Sequence, residues 1–195
     1  MIYRLFTLLF LGAFISLGCK SDPKSASKEA HSHTVSSSEE ETKKTPLSPH
    51  TFAMALVDGA HIHIDYSAPS VRGRIIFGGL LPFGEVWQSG AHNATWFETN
   101  KDLLIQDSLL KAGRYGFFTI PTEKEWTLIF NSNWEQHGKD EYDPKEDVLR
   151  VKVTPEIQDQ PTEKLTYQVK QTGPKEATVS LSWDSLLIRF KALVQ

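Results

Sequence analysis

From Phe52 onward the chain is dominated by short runs in which apolar and polar residues alternate. They are HIHIDY (61–66), ATWFET (94–99), RYGFFTI (114–120), WTLIFN (126–131), VLRVKV (148–153), KLTYQV (164–169), ATVSLSW (177–183) and LLIRFKA (186–192). A period of two, carried by β-branched and aromatic residues, marks strands with one buried face. Turn formers separate the runs, among them Asp58-Gly59, Gly78-Gly79, Pro82, Gly84, Lys111-Ala112-Gly113, Thr172-Gly173-Pro174 and Asp184-Ser185. No window keeps a helical apolar stripe for more than two turns. The expectation is an all-β fold, a single-domain antiparallel β-sandwich or barrel-like sandwich. Near the end, Val179, Leu181 and Trp183 alternate with Thr178, Ser180 and Ser182, and Ile188, Phe190 and Ala192 follow Asp184-Ser185. This predicts a C-terminal hairpin turning at Asp184-Ser185.

The first residues read differently. Residues 1–18, MIYRLFTLLFLGAFISLG, place one cation at Arg4 before an apolar run from Leu5 to Leu17, too short for a comfortable membrane span, as in a signal peptide. Ser16 and Gly18 flank a cleavage point before Cys19, which resembles a bacterial lipobox, although Ser16 holds the place where Leu is usual. Cys19 is the expected lipidation site, and acyl chains such as palmitate, at about 0.8 kcal/mol per buried methylene, suffice to anchor a domain without a membrane-binding face. Residues 20–47 are rich in Ser, Lys and Glu and hold no aromatic residue, so they cannot bury enough apolar surface to offset the entropy of ordering. We read 1–18 as a lipoprotein signal peptide, 19–47 as the lipidated cysteine with a disordered tether, and 48–195 as the folded domain. The His31/His33 pair within the tether is read as solvated linker.

Composition narrows the function classes. Of 195 residues, Cys19 is the single cysteine, which excludes an intrachain disulfide and a Cys-rich zinc site. The net charge of −3, with Lys and Arg dispersed among Asp and Glu, lacks the footprint of a nucleic-acid binder. No nucleophile elbow, phosphate-cradling loop, dinucleotide fingerprint or His-Glu-x-x-His helix is present in the sequence.

The densest stretch is YSAPSVRGRIIFGGLLPFGEVWQSGAHNAT (66–95), where Gly, Pro, Trp and paired arginines crowd together. It resembles a family of exported bacterial proteins catalogued as domain of unknown function 2911, with the pattern Y-S-x-P-S-V-x-G-R-x-I-F-G-G-L-x-P-x-G-x-V-W-R-T-G-A-N-x-A-T. The resemblance continues through AGRYGFFTIP (112–121), EWTLIFN (125–131), His137-Gly138, Tyr142 and DVLRVKV (147–153), and it implies no reaction. Gln88 stands where the pattern usually has Arg, and His92-Asn93 where it usually has Asn followed by another polar residue.

Several side chains are candidates for chemistry. His61, His63 and Asp65 share one face of a strand and Ile62, Ile64 and Tyr66 the other. Two such imidazoles, completed by Asp65, His92 or Glu85, are a candidate site for a divalent metal such as zinc, but alternation alone already accounts for them as polar residues on a wet strand face, which is the preferred reading. Arg72 and Arg74 bracket Gly73 on one face and suit a carboxylate, phosphate or sulfated sugar, or else cross-strand ion pairs with Glu85 or Glu98. Trp87 and Trp96, with Phe83, form an aromatic platform for a sugar if exposed and fill the core if not. The acidic loop Trp134–Asp147 offers oxygen donors without EF-hand spacing. Asn93-Ala94-Thr95 matches a glycosylation acceptor to which we assign no role.

Taken together, the leading expectation is a non-catalytic envelope lipoprotein, exported and placed in the periplasm or at the cell surface, with the membrane as partner through its lipid. Its sandwich binds a small molecule, glycan or protein through Arg72, Arg74, Glu85, Trp87, Gln88, His92 and Asn93, with no cofactor. The alternatives are a metal-dependent hydrolase or lyase on His61, His63 and His92, and a structural component of the envelope that would show an exposed apolar patch and no concave site.

Overall fold

The computed structural model describes residues 46–195, which belong to one compact unit, Lys43–Gln195. The expectations for the leader, Cys19, the His31/His33 pair and the tether up to residue 45 lie outside the described residues.

Ten strands run in chain order: β1 (His50–Val57), β2 (Ala60–Ser67), β3 (Trp96–Thr99), β4 (Leu103–Ile105), β5 (Ser108–Leu110), β6 (Gly113–Ile120), β7 (Trp126–Asn131), β8 (Asp147–Val153), β9 (Glu156–Gln171) and β10 (Glu176–Val194). A six-stranded sheet has the order β1-β2-β3-β6-β7-β8 and a four-stranded sheet the order β5-β4-β10-β9. Every named pairing is antiparallel. The all-β sandwich is therefore what the molecule is, and the period-two pattern explains it. Along β2, Ala60, Ile62, Ile64 and Tyr66 are buried between the sheets, while His61, His63 and Asp65 lie half-buried on the other face.

Asp58-Gly59 closes the β1–β2 hairpin with both residues at positive φ, 48° and 73°, so that Val57 pairs with Ala60. That is the two-residue turn whose twist matches the strands it joins. β1 carries no conventional signal, because its large side chains, Phe52, Met54 and Leu56, face outward and its alanines inward. The three-residue strands β4 and β5, also absent from the sequence reading, are too short to show a period.

The C-terminal hairpin is not formed. Residues 176–194 make one continuous strand, β10, and Asp184 adopts φ 51° within it as an irregularity in its pairing with β9. The buried side chains before it fall at odd positions (Ala177, Val179, Leu181, Trp183) and after it at even ones (Ile188, Phe190, Ala192, Val194). A bulge changes the parity of a strand without reversing the chain, and in sequence it looks like a turn.

The core is aromatic. Trp126, Trp183, Phe97, Phe117 and Phe130 are fully buried. Trp87 joins them at 5% exposure, stacked on Trp183 at 5.6 Å with its Nε1–H donated to the Gly90 carbonyl at 3.0 Å. The platform expectation for Trp87 is thereby corrected: this indole is a core plate whose polar atom is satisfied at home.

Candidate functional site

The 88–95 segment is a rigid wall between two clefts. Thr95 Oγ1 donates to the Ser89 carbonyl (3.0 Å), Ser89 Oγ to Thr119 Oγ1 (3.1 Å) and the buried Tyr167 hydroxyl to the Ser89 carbonyl (2.7 Å). Burial, with Tyr66 nearby, pushes the Tyr167 pKa well up, so this hydroxyl stays a donor. The Ala91 amide reaches the Ser67 carbonyl and the Ala94 amide the Gln136 carbonyl. Ser89 and His92 sit at positive φ, 55° and 61°, conformations that non-glycine residues hold only when their surroundings fix them.

On one side of the wall lies a cleft of about 400 Å³, lined by His50, Asp65, Tyr66, Ser67, Asn93, Ala94, Trp96, Trp134, Glu135, Gln136 and His137. Two of its walls, Trp96 and Trp134, belong to a column of flat groups standing on the outer face of the six-stranded sheet. Phe52 stacks on His63 (5.3 Å, 15°) and His63 on Trp96 (4.9 Å, 12°). The Arg114 guanidinium lies 4.2 Å from the Trp96 ring centre and 4.5 Å from that of Trp134. Register explains the column: His63 faces Glu98 on β3, Glu98 faces Arg114 on β6, and Trp96 stands one step along between Asp65 and Gly116. Gly116 is needed because the Asn133–Trp134 backbone passes over it; a Cβ there would lie 3.0 Å from the Asn133 carbonyl oxygen.

Charges in and beside this cleft are mutually engaged. His50 Nε2 is 2.7 Å from Asp65 Oδ1, His137 Nδ1 is 3.0 Å from Asp140 Oδ2, and Arg114 pairs with Glu98 at 3.0 Å. His63 Nε2 is buried without a hydrogen-bond partner, with Asp65 Oδ2 at 3.9 Å. Burial lowers the His63 pKa and Asp65 opposes that only in part, so its ring is a neutral plate at pH 7.

On the other side of the wall a cleft of about 280 Å³ holds Arg72, Arg74, Gln88 and His92, with Leu80, Leu81 and the edges of Trp87 and Trp183. Among the described residues no acidic side chain lines it. The two arginines are not on a strand face, since Arg72 and Gly73 both lie at positive φ in a turn. Nor do they pair with Glu85 or Glu98: Glu85 lines a neighbouring hollow and meets Lys139 at 3.5 Å, and Glu98 meets Arg114. Arg74 instead donates from Nε to the Val71 carbonyl (3.0 Å) and from Nη2 to the Ser70 carbonyl (2.6 Å).

The metal constellation does not assemble. His61 and His63 have ring centres 5.7 Å apart and His92 lines the arginine cleft. Among the described residues no group of three or more His, Cys, Asp or Glu side chains is placed to hold a metal ion. In the acidic loop, Asp143 caps a single 3-10 turn (Pro144–Glu146), and Asp147 accepts from Asn131 Nδ2, the Tyr142 hydroxyl and Arg150 Nε. Those carboxylates are already committed to the protein.

Of the expected ligand-binding residues, Arg72, Arg74, Gln88 and His92 converge on one cleft and Asn93 belongs to the other, beside Trp96. His50, Trp134, Gln136 and His137 were not singled out for this site. They come from segments distant in sequence, joined by the isolated Asn93–His137 bridge, the Ala94 amide on the Gln136 carbonyl and Arg114 between the two indoles, none of which leaves a mark on either stretch of sequence.

Residues 48–192 match the model of a family described as protein of unknown function (DUF2911). No curated protein matches the chain, and no solved structure does.

Proposed function

The chain belongs to the DUF2911 family, whose description assigns no activity, and we propose that it is an exported lipoprotein whose sandwich is a non-catalytic binding module for a hydroxyl-rich ligand such as a glycan. The carrying observation is the Trp96–Trp134 cleft. Its size falls within the roughly 300–1,000 Å³ of small-molecule sites. It sets two indoles beside the acceptors Asp65 and Glu135 and the exposed amide of Asn93, and a sugar needs that combination: apolar contact for ring carbons with donors and acceptors for hydroxyls. Stacking by His63 and Arg114 holds Trp96 upright, so little side-chain entropy remains to be lost on binding. A larger polar trough on β9 and β10, lined by Thr166, Ser180, Ser182 and neighbours, holds neither an aromatic side chain nor a carboxylate among the described residues, and so lacks both the flat apolar face and the charged acceptors of the cleft.

The lipid anchor rests on the leader and Cys19. Its test is a Cys19→Ala chain, expected to leave the membrane fraction and to lose the mass of the acyl chains; unchanged mass and fractionation would overturn it. The ligand class is tested on a glycan array followed by calorimetry with the wild type and Trp134→Ala. Binding that weakens at least tenfold in the variant, about 1.4 kcal/mol, with the glycan recovered intact, supports the reading. Equal affinity in the variant, or a converted glycan, would overturn it.

A further inference from the structure

The 71–86 loop carries an exposed apolar tip that neither cleft explains. Ile75, Leu80 and Phe83 are 76%, 47% and 39% exposed. They are contiguous: the Phe83 ring lies over Gly78 and the Ile75 side chain against Gly79, each so close that an added Cβ would sit 2.9 Å and 3.0 Å from them. The Leu80 amide is bonded to the Ile75 carbonyl at 2.9 Å.

This tip is built rather than loose. Ile76 is fully buried beneath it, and Phe77 sets its edge on Trp126 (5.1 Å) and Trp183 (6.2 Å). The amides of Gly78 and Leu81 bond to the carbonyls of Leu81 and Ile76, both at 2.8 Å, and that of Gly84 to Pro121. The turn at the tip, Gly78 to Leu81, therefore has its amides satisfied within the protein, which lowers the cost of bringing it to an apolar medium. Cations border it. Leu80 lines the same cleft as Arg72 and Arg74, where no carboxylate intrudes; the nearby Glu85 is engaged by Lys139, and Glu163 accepts the Arg72 amide.

Apolar tips beside arginines that form no side-chain ion pair among the described residues match the two layers of a membrane interface, acyl chains below and anionic headgroups above. We propose that the 71–86 loop is a docking wedge for an anionic phospholipid surface, with Ile75, Leu80 and Phe83 entering the interface and Arg72 taking a lipid phosphate beside the fixed charge of Arg74. The wedge is independent of the ligand cleft, since the 88–95 wall separates them. It would fix which face of the sandwich turns toward the membrane.

The test is hydroxyl-radical footprinting of the full chain reconstituted in vesicles, read residue by residue by mass spectrometry. With phosphatidylglycerol vesicles, oxidation of Ile75, Leu80 and Phe83 is expected to fall at least threefold relative to pure phosphatidylcholine, while Phe52 and Leu56, exposed on β1, keep their rates. Arg72→Gln, an exposed side chain with no hydrogen bond among the described residues, is expected to weaken docking about fivefold and so to reduce a threefold protection to less than twofold. Equal oxidation in the two lipids, or equal protection of Phe52 and Leu56, overturns the proposal. So does protection of the tip by inorganic phosphate without vesicles, which would mark a site for a small free anion instead.

Discussion

Gly90 is the point at which the wall between the clefts tolerates least change. A Cβ there would lie 2.6 Å from Thr95 Oγ1 and 3.3 Å from the Ser67 carbonyl oxygen, against 3.4–4 Å for ordinary contact. Its φ lies outside the left-handed region, so Gly90→Ala introduces a steric conflict without backbone strain. To admit the methyl, Thr95 must swing away and give up its bond to the Ser89 carbonyl, leaving a buried hydroxyl unpaired. Overpacking costs about 1–3 kcal/mol and an unsatisfied buried hydroxyl a similar amount. Because the two overlap, we expect a loss of about 3 kcal/mol for Gly90→Ala and about 1–2 kcal/mol for Thr95→Ala. In the double variant the obstructing oxygen is gone, and the cost should approach that of Thr95→Ala alone, an interaction of roughly 3 kcal/mol. Urea unfolding followed by tryptophan fluorescence measures all three. Costs that add to within about 0.5 kcal/mol, or a neutral Gly90→Ala, would refute the reasoning.

Protonating His63 requires charging a ring whose Nε2 is buried without a partner. Its folded pKa is lowered by burial, so the folded chain holds fewer protons than the unfolded one, and stability falls as pH drops below the ordinary 6.5. His63→Phe keeps the stack with Phe52 and Trp96 and should flatten that part of the pH–stability curve; an unchanged slope would sink this account. Asp184→Gly, at φ 51° in β10, should stabilise by up to about 1 kcal/mol in thermal melts, whereas a loss would mean the aspartate side chain is needed there. Asp147→Ala strips the acceptor from Asn131, Tyr142 and Arg150 around a carboxylate only 6% exposed, and should cost about 2–4 kcal/mol in urea unfolding; a change under 1 kcal/mol would contradict it.

The strands were legible where alternation carries burial, as in β2 and β8, and where aromatic and β-branched residues crowd, as in the almost wholly buried β6 and β7, and so was the Asp58-Gly59 hairpin, whose residues accept positive φ. β1 escaped because its large apolar side chains face out, a choice made by the outer column rather than by the core. Asp184-Ser185 misled because one left-handed residue serves a bulge as well as a turn. Composition marked 66–95 as unusual, yet it could not separate core from cleft: Trp87 and Arg74, the residues most suggestive of a ligand, bond to the chain's own carbonyls. The wall residues Gln88, His92 and Asn93 were visible as departures from the family pattern. The opposite side of the Trp96 cleft, residues 134–137, is brought there only by tertiary pairing.

The binding claim is tested most directly by titrating the isotopically labelled protein with the glycan selected on the array and following its five indole N–H signals. Shifts are expected for Trp96 and Trp134 in the cleft, with the fully buried Trp126 and Trp183 unmoved. Shifts centred on Trp87, which lines the arginine cleft, with Trp96 and Trp134 silent, would contradict it.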